Sequence, residues 1–291
     1  MAEAYAAPKA KVAAAIRPSP RPPVAVRPRQ LSITEIQKLI RDPYAIYARH
    51  VLRLAPLDPL RPEADPRLRG TVLHKILETY LREGEGGEAA LMSIADRVLE
   101  AEVAWPLARA IWRARIEKAA PGFLAFSADT GGKPVLVEER GAVTLQGQDF
   151  TLKGKPDRID MLDDGRLLII DYKTGAPPSA EQQKHFDRQL YLAAAMAENG
   201  AFAGLPLAEV ARLAYVGVKA DFKVSPVDLE PGEVAKVWAE FKDLIAAYAR
   251  PTRGYSARAA MAKDSDASDY DHLSRYGEWD ETAAVTPEDL A

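Results

Sequence analysis

One β-hairpin constrains the fold of this chain more than any other segment. Its second half contains an unbroken apolar run, Leu167–Ile170, shortly after the sequence Asp163-Asp164-Gly165. Such a run is typical of a strand that is buried on both faces, and the Asp-Asp-Gly sequence favours a tight turn. If these three residues form the loop with Gly165 in the left-handed region, residue 162 pairs with residue 166. The numbers of paired residues then sum to 328 along the hairpin.

This register determines which sheet face carries the charged residues of the hairpin. With a sum of 328, Asp157 lies opposite Asp171, and directly opposed residues project from the same face. Lys173 is two residues beyond Asp171 and joins that face. A two-residue loop would change the sum to 329 and place the two aspartates on opposite faces, unless a bulge corrected the register. The three-residue loop therefore predicts one face with two carboxylates and an ammonium group.

Two adjacent carboxylates repel each other unless a cation lies between them. A hard divalent cation such as Mg²⁺ binds carboxylate oxygens well, and it can bind a phosphate oxygen, acidify a bound water and stabilise a departing alkoxide. A nearby lysine can position that water or offset phosphate charge. The hairpin therefore suits hydrolysis of a phosphodiester. The alternative that spacing leaves open is an ordinary solvated strand edge, where an Asp-x-Lys pair is common.

The rest of the chain combines helical and strand-like patterns. Ser32-Ile33-Thr34-Glu35 has the form of a capping box that opens a helix, and Pro43 separates that helix from a second short one within 44–54. Helical periodicity recurs over 70–81, twice within 88–127, over 181–198 and after Pro231. The strand-like segments besides the hairpin are Val135–Glu139, Ala142–Leu145, Phe150–Lys153 and Ala211–Lys219.

Composition excludes several classes of protein. The 291 residues suffice for one large domain or two small ones. A net charge of −3 excludes a strongly basic nucleic-acid coat protein but not a local basic groove. The absence of cysteine excludes disulfides, thiolate zinc sites and cysteine-ligated iron–sulfur clusters. No apolar run is long enough to span a bilayer and no signal peptide is evident, so we expect a cytoplasmic protein.

The two ends of the chain differ in composition from the middle. Residues 1–30 are rich in proline, alanine and basic residues, which predicts an extended tether, with a basic arm that touches DNA as the alternative. Residues 256–291 are acidic and are expected to pack only partly on the preceding domain. The expected division is therefore a linker over 1–30, a domain over 31–255 and an acidic C-terminal segment.

His74 and Gln189 are two further candidates for the same site. His74 and Glu78 are four residues apart and share one face of a predicted helix. An imidazole can complete a metal shell, although a lone helical histidine is more often structural. Gln189 lies on the helix after the hairpin, where a solvated face is the simpler interpretation.

Four segments resemble, in the right order, the motifs of PD-(D/E)XK nucleases of the RecB-like branch. Gly70…Leu73-His74…Leu77-Glu78 resembles the helical histidine motif, and Gly154-Lys155-Pro156-Asp157-Arg158-Ile159-Asp160 resembles the first acidic motif. Ile170-Asp171-Tyr172-Lys173-Thr174-Gly175 resembles the (D/E)XK motif, and Gln189-Leu190 resembles the start of a Gln-x-x-x-Tyr motif. The ordered set is far more specific than any single motif.

The resemblance extends to the C-terminal nuclease region of the AddB family, of the alphaproteobacterial type. It is also carried by Leu31–Ile36, Asp42-Pro43-Tyr44 and Asp269–Arg275, and covers roughly residues 1–282. AddB is a subunit of the AddAB helicase–nuclease, which processes double-strand breaks for recombination. The resemblance implies DNA as the substrate, with an AddA-type subunit and the helicase-like remainder of AddB as partners.

The resemblance also implies a fold and a role for each motif residue. The fold is a restriction-endonuclease-like α/β core in which helices flank a mixed central sheet, with an N-terminal helical part. The groups that would hold Mg²⁺, or Mn²⁺ in its place, are the side chains of His74, Asp157 and Asp171 and the backbone carbonyl of Tyr172. The implied catalytic residues are Asp157, Asp171, Lys173 and Gln189. Lys173 would act on the attacking water, and Gln189 would orient the site or contact DNA.

The chain departs from the family in two places. Many AddB proteins anchor an iron–sulfur cluster through four cysteines, whereas Asp42 stands where one of these is expected. No cluster is therefore expected, and other packing must hold the N-terminal helix to the C-terminal segment. Ala193, rather than tyrosine, lies four residues after Gln189. The chain also has no Gly-x-x-x-x-Gly-Lys-[Ser/Thr] loop, so no ATP site is expected.

The preferred hypothesis is a Mg²⁺-dependent deoxyribonuclease module that acts on single-stranded DNA ends in recombinational repair. One alternative is a stand-alone RecB-like exonuclease. The other is a non-catalytic DNA-binding or scaffolding module of the same complex.

Overall fold

The chain divides into two compact units. The structure, a computed structural model, describes residues 13–57, 63–83, 86–175, 178, 188–218, 222–261 and 266–290. The first unit, here called the sheet unit, comprises Arg29–Gln37 and Asp58–Ile245. The second, here called the terminal unit, comprises Met1–Pro28, Lys38–Leu57 and Ala246–Ala291. Every residue predicted for the site belongs to the sheet unit.

The described residues form strands and helices throughout both units. The strands are β1 (Pro18–Arg21), β2 (Gln30–Ser32), β3 (Gly132–Val137), β4 (Gly141–Thr144), β5 (Thr151–Gly154), β6 (Arg158–Leu162), β7 (Leu167–Lys173), β8 (Val210–Gly217), β9 (Lys223–Val227) and β10 (Thr286–Asp289). The α-helices are α1 (Ile33–Arg41), α2 (Pro43–Ile46), α3 (Pro66–Glu83), α4 (Gly87–Glu102), α5 (Pro106–Ala128), α6 (Gln189–Glu198) and α7 (Glu233–Tyr248). A π-helical turn, Tyr47–Val51, continues α2. None of the described helices is both long and apolar enough to cross a membrane.

The sheet unit is built around a mixed sheet with the strand order β3-β6-β7-β8-β9. β7 and β8 run parallel, and the other neighbours run antiparallel. Helices α3, α4 and α5 bury their apolar residues in one cluster with Leu168, Ile170 and Tyr172 of β7, whereas α6 packs against β7 and β8 outside that cluster. A smaller sheet of the same unit has the order β2-β5-β4. The predicted α/β architecture, with helices flanking a mixed sheet, is confirmed.

The hairpin of β6 and β7 has the predicted register, because Ile159 is paired with Ile169. The turn is closed by Leu162, whose N–H donates to the Arg166 carbonyl at 2.8 Å and whose carbonyl accepts from the Gly165 N–H at 2.9 Å. Gly165 has a φ of +82°, in the left-handed region. The three-residue loop is therefore confirmed, and the two-residue alternative is wrong.

The predicted capping box is also confirmed. The Ser32 N–H donates to Glu35 Oε2 at 2.9 Å, and the Glu35 N–H donates to Ser32 Oγ at 3.3 Å. The helix predicted over 70–81 extends in both directions to become α3. The helix predicted over 181–198 is described only from its α6 part, since residues 181–187 lie outside the described residues. Strand β9 has no counterpart among the predictions, because Lys-Val-Ser-Pro-Val contains a proline and buries only its last residue.

The expected tether over residues 1–30 needs correction, because part of it is a strand. β1 pairs in parallel with β10. Its prolines have no N–H, but the Pro18 carbonyl accepts from the Ala257 N–H at 3.1 Å and the Pro20 carbonyl accepts from the Tyr255 N–H at 2.9 Å. Residues 38–57 also group with the two ends of the chain rather than with 58–245. The expected division into three parts therefore differs from the two units of the structure. The pairing of β1 with β10 joins segments that are far apart in the sequence, and no local sequence pattern indicates it.

Within the terminal unit, Asp42 links the start of α2 to the segment that follows α7. Its Oδ1 accepts from the Arg258 N–H at 3.0 Å, and its Oδ2 accepts from the Ser268 hydroxyl at 2.6 Å. The side chain is buried, and burial raises the pKa of Asp42 although both hydrogen bonds oppose the shift. Without a cysteine-ligated cluster, other contacts must connect these segments, and the two hydrogen bonds of Asp42 are such contacts.

Candidate active site

The two predicted carboxylates line the same cavity of the sheet unit. Asp157 directly precedes β6, and Asp171 lies near the end of β7. Both belong to the lining of a cavity of about 790 Å³, together with Ile169 of the same strand face and Gln189 at the start of α6. The structure thus brings Asp157 and Asp171 to one cavity, as the predicted register requires.

Asp157 takes the place of a backbone acceptor at the end of the hairpin. Its Oδ2 accepts from the Tyr172 N–H at 2.6 Å, and its Oδ1 lies 3.2 Å from Nδ1 of His74. Its own carbonyl accepts from the Glu138 N–H at 3.0 Å. These contacts fix the carboxylate between the strand end and the imidazole.

Asp171 is held by the two other residues predicted to be catalytic. Its Oδ1 accepts from Nε2 of Gln189 at 2.7 Å, and its Oδ2 lies 2.7 Å from Nζ of Lys173. Burial, reinforced by the charge of Asp157, raises the pKa of Asp171 to about 7, although Lys173 opposes the shift. The ammonium of Lys173 also lies 5.3 Å from the ring centre of Tyr215.

His74 reaches the site from α3, and both of its ring nitrogens have partners. Nδ1 lies 3.0 Å from Glu138 Oε1 and 3.2 Å from Asp157 Oδ1. Nε2 lies 3.1 Å from the Tyr172 carbonyl oxygen. Burial alone would lower the pKa of His74, but the hydrogen bonds with Asp157 and Glu138 outweigh it and raise the pKa to about 10.

Glu138 belongs to this cluster although sequence reasoning did not select it. It directly follows β3, and its Oε2 lies 2.6 Å from Nζ of Lys155. Burial alone would raise the pKa of Glu138, but the contacts with His74 and Lys155 outweigh it and lower the pKa. In the sequence Glu138 is one of two adjacent glutamates at the end of a predicted strand, so the only signal was a carboxylate next to an apolar run.

A hard divalent cation fits the donor chemistry of this cluster. Among the described residues, the one set of three potential ligands whose donor atoms all lie within 4.8 Å of one another is His74, Glu138 and Asp157. The Tyr172 carbonyl adds an oxygen beside His74 Nε2. Carboxylate, carbonyl and imidazole donors of this kind suit Mg²⁺ or Mn²⁺. The structure thus brings three predicted ligands together, while the fourth, Asp171, is not in that set and contacts Lys173 and Gln189.

Two acidic residues of the predicted motifs lie outside the site. Asp160 is fully buried, and both of its oxygens accept from Arg158, from Nε at 2.5 Å and from Nη2 at 2.7 Å. Glu78 forms an ion pair with Arg82 at 3.1 Å on the surface of α3. Asp160 therefore has a structural environment, and Glu78 does not join His74 in the cluster.

Basic residues lie on the wall of the cavity that the carboxylates share. Arg140, Lys153 and Lys155 all contribute to its lining. Phosphate oxygens are attracted to such local positive charge even when the whole protein is slightly acidic. The cavity therefore combines the carboxylates of Asp157 and Asp171 with a basic wall.

Comparison with known proteins gives matches that cover different fractions of the chain. A family model for the PD-(D/E)XK nuclease superfamily matches residues 30–276. An uncharacterized protein of Rickettsia conorii is 28% identical over 168 residues, which are 53% of this chain and 20% of that protein. A subunit of the ATP-dependent helicase/deoxyribonuclease of Streptococcus equi subsp. zooepidemicus is 25% identical over 163 residues, 52% of this chain and 14% of that subunit. The crystal structure of SSO0001 superposes with a TM-score of 0.32 at 13% identity, over 75% of this chain and 76% of that one.

The match to the family model spans most of the chain and includes every residue of the site described above. The chain spans about a fifth of the length of the Rickettsia protein and about a seventh of the streptococcal subunit. On the extent of the family match, the chain belongs to the PD-(D/E)XK nuclease superfamily.

Proposed function

We propose that this chain is the nuclease module of an AddB-type subunit, of the alphaproteobacterial type, in an AddAB-like helicase–nuclease. In this proposal it hydrolyses phosphodiester bonds of DNA at single-stranded ends, with Mg²⁺ or Mn²⁺, during recombinational repair of double-strand breaks. The observation that carries the proposal is that Asp157 and Asp171 line one cavity. Asp157 also contacts His74, whose other ring nitrogen lies beside the Tyr172 carbonyl, and Asp171 is paired with Lys173.

The first group of site residues would hold the divalent cation in this reaction. A divalent cation supplies activation of the attacking water and stabilisation of charge on the phosphate. His74, Asp157, Asp171 and the Tyr172 carbonyl are the groups that would hold it. The N–H of Tyr172 fixes Asp157 through Oδ2, so that Oδ1 faces His74.

Lys173 and Gln189 both contact the carboxylate of Asp171. Gln189 holds Oδ1 of Asp171 through its amide nitrogen, which orients the carboxylate. The ammonium of Lys173 can donate to the attacking water or to a phosphate oxygen. In the hydrolysis the water oxygen bonds to phosphorus, the ester P–O bond breaks, and the proton lost by the water is balanced by the one that the leaving oxygen takes up.

The match to the streptococcal helicase/deoxyribonuclease subunit supports the assignment to a helicase–nuclease, although it covers only 52% of this chain. An AddA-type helicase subunit and the helicase-like remainder of AddB are therefore the proposed protein partners. The basic wall of the cavity supports DNA as the substrate, because Arg140 and Lys153 can bind phosphates next to the one that is cleaved.

End-labelled single-stranded DNA tests the proposal directly. The full chain is incubated with the DNA in Mg²⁺ or in EDTA, alone and with an AddA-type subunit. We expect Mg²⁺-dependent cleavage, which Lys173→Met reduces by about 10²–10³-fold and which Asp171→Asn abolishes. Glu139→Gln, a change at an exposed neighbour of Glu138, is the matched control and should leave cleavage unchanged.

Three results would contradict this proposal. Cleavage that survives Asp171→Asn would show that the activity comes from elsewhere. Binding of DNA without cleavage, both alone and with the partner subunit, would favour the scaffolding module. Full cleavage by the chain alone, with no effect of the partner, would favour a stand-alone exonuclease over an AddAB-like role.

A further inference from the structure

Glu138 is the residue of the site whose backbone is least expected. Its φ is +52°, in the left-handed region that side chains other than glycine rarely adopt. The conformation is fixed from both sides, because its N–H donates to the Asp157 carbonyl at 3.0 Å and its side chain is only 8% exposed. Backbone strain of this kind persists where surrounding contacts determine it, and it gathers at functional sites.

Both oxygens of the Glu138 carboxylate have a cationic partner. Oε1 lies 3.0 Å from Nδ1 of His74, and Oε2 lies 2.6 Å from Nζ of Lys155. The other ring nitrogen of the same imidazole, Nε2, lies 3.1 Å from the Tyr172 carbonyl. The carboxylate and the carbonyl therefore contact different nitrogens of one ring.

We infer that Glu138 is a positioning residue that holds the proton of His74 on Nδ1 and so presents Nε2 to the divalent cation. This inference rests on the proposed function, since it concerns the same cation. The nitrogen that binds a metal is set by the hydrogen bond that the other nitrogen makes, and a carboxylate is a frequent partner for that bond. Glu138 suits this task because Lys155 anchors its second oxygen.

Asp157 is a weaker candidate for the same task. Its Oδ1 lies 3.2 Å from Nδ1 of His74, slightly farther than the Glu138 oxygen. Asp157 is also a predicted cation ligand, and an oxygen that turns to a cation leaves the imidazole. Glu138 then remains as the partner that keeps Nδ1 protonated.

The experiment compares three variants of the full chain with the wild type. Glu138→Gly removes the carboxylate but suits a φ of +52°, so it separates the side chain from the backbone conformation. Glu138→Gln keeps an acceptor without the charge, and it is also the fallback if the glycine variant does not fold. Glu139→Gln is the matched control, because it changes the adjacent, exposed glutamate.

Two readouts other than cleavage are needed. Calorimetry gives the affinity for Mg²⁺ or Mn²⁺. Proton–nitrogen NMR of histidine-labelled protein gives the tautomer of His74 in saturating Mg²⁺, which is practicable because the chain contains only four histidines. The His74 signal is assigned from its absence in His74→Asn.

We expect the wild type and Glu139→Gln to show His74 protonated on Nδ1 in Mg²⁺. Glu138→Gly should bind the cation about 10- to 100-fold more weakly and lose the fixed tautomer, and Glu138→Gln should fall between, because a charge-assisted hydrogen bond is stronger than a neutral one. Wild-type affinity and tautomer in Glu138→Gly would overturn the inference. So would weaker binding with an unchanged tautomer, which would make Glu138 a direct ligand. If the wild type binds no cation and cleaves no DNA, the proposed function itself fails.

Discussion

At the scale of single residues, burial sets the behaviour of the charged groups. Asp171 has only 4% of its surface exposed, and its ordinary negative charge is disfavoured there, because water is replaced by protein around a second carboxylate. In His74 the charged form is favoured instead, because two neighbouring carboxylates stabilise the protonated, positive imidazole and so raise its pKa. In both groups the proton is held at a pH where the isolated side chain would have lost it.

Cation binding should therefore strengthen as the pH rises. The pKa of Asp171 is about 7 and that of His74 is about 10, so below these values a cation must displace a proton from each group. The apparent affinity should rise about tenfold per pH unit for each proton released. Below about pH 6 we expect about two protons to be released, near pH 7 between one and two, and above pH 8 only that of His74.

Calorimetry with Mn²⁺ in buffers of different ionisation enthalpy counts these protons. Asp171→Asn should remove the component near pH 7 and keep the shallower one from His74. An affinity that is constant from pH 6 to pH 8 would show that neither group is displaced from its proton by the cation.

Asp160 should contribute to stability rather than to the site. It forms a bidentate pair with Arg158, and both side chains are fully buried. Removal of one partner of a buried pair costs about 3–5 kcal/mol, because the other charge is left uncompensated. Urea unfolding of Asp160→Ala should show this loss, and the double variant Arg158→Met/Asp160→Leu should recover much of it. A loss no larger than that of an exposed substitution would contradict the structural role.

At the scale of elements, the turn between β6 and β7 fixes where the carboxylates lie. The turn depends on one glycine, because Gly165 has a φ of +82°. The space beside it is open, since a Cβ at this position would have no other atom within 4 Å. A substitution of Gly165 by alanine therefore tests the backbone conformation alone, because the added methyl group meets no other atom. Strand pairing transmits the register of the turn to the residues of the site.

Two glycine-to-alanine substitutions should have opposite effects on the free energy of unfolding. Gly165→Ala should lower it by about 1–2 kcal/mol, because alanine is disfavoured in the left-handed region. Gly70→Ala should raise it by about 0.5–1 kcal/mol, because Gly70 lies inside α3 and a Cβ there would meet only Thr174 Oγ1 at 3.9 Å. Urea unfolding of both variants measures the pair, and effects of equal sign would contradict this account.

The elements that could be predicted from the sequence are those specified by neighbouring residues. The hairpin register followed from three turn residues and an apolar run, and the capping box followed from four consecutive residues. Glu138 could not be predicted in the same way, since nothing in the local sequence marks a glutamate that adopts a φ of +52°. The pairing of β1 with β10 was also out of reach, because it joins segments from opposite ends of the sequence.

At the scale of the whole molecule, polar contacts between segments remote in sequence hold the terminal unit together. Arg27 is buried there, and its guanidinium donates to four carbonyls, those of Pro22, Tyr248, Arg250 and Pro251. Asp42 makes a comparable link through its two oxygens. These hydrogen bonds connect remote segments of the terminal unit, which disulfides cannot do here because the chain has no cysteine.

Asp42→Ala should destabilise the terminal unit by about 1–3 kcal/mol, because the Arg258 N–H would be left buried without an acceptor. Asp42→Asn should cost less, since its amide oxygen can accept from Arg258 and its amide nitrogen can donate to the Ser268 oxygen. Hydrogen exchange of the Arg258 amide, together with urea unfolding, measures both. Equal losses in the two variants would show that the charge, rather than the hydrogen bonds, is what matters.

The hydrogen bond from the Tyr172 N–H to Asp157 has a consequence for observing the site. A side-chain oxygen occupies a position that a carbonyl would take in an ordinary ladder, so the same carboxylate both closes the end of the sheet and faces His74. Any group that binds to this carboxylate therefore changes the surroundings of one amide proton. The chemical shift of the Tyr172 amide proton should therefore report whether a cation is bound at Asp157. This shift can be measured by NMR in solution, without substrate and without labelled nucleic acid.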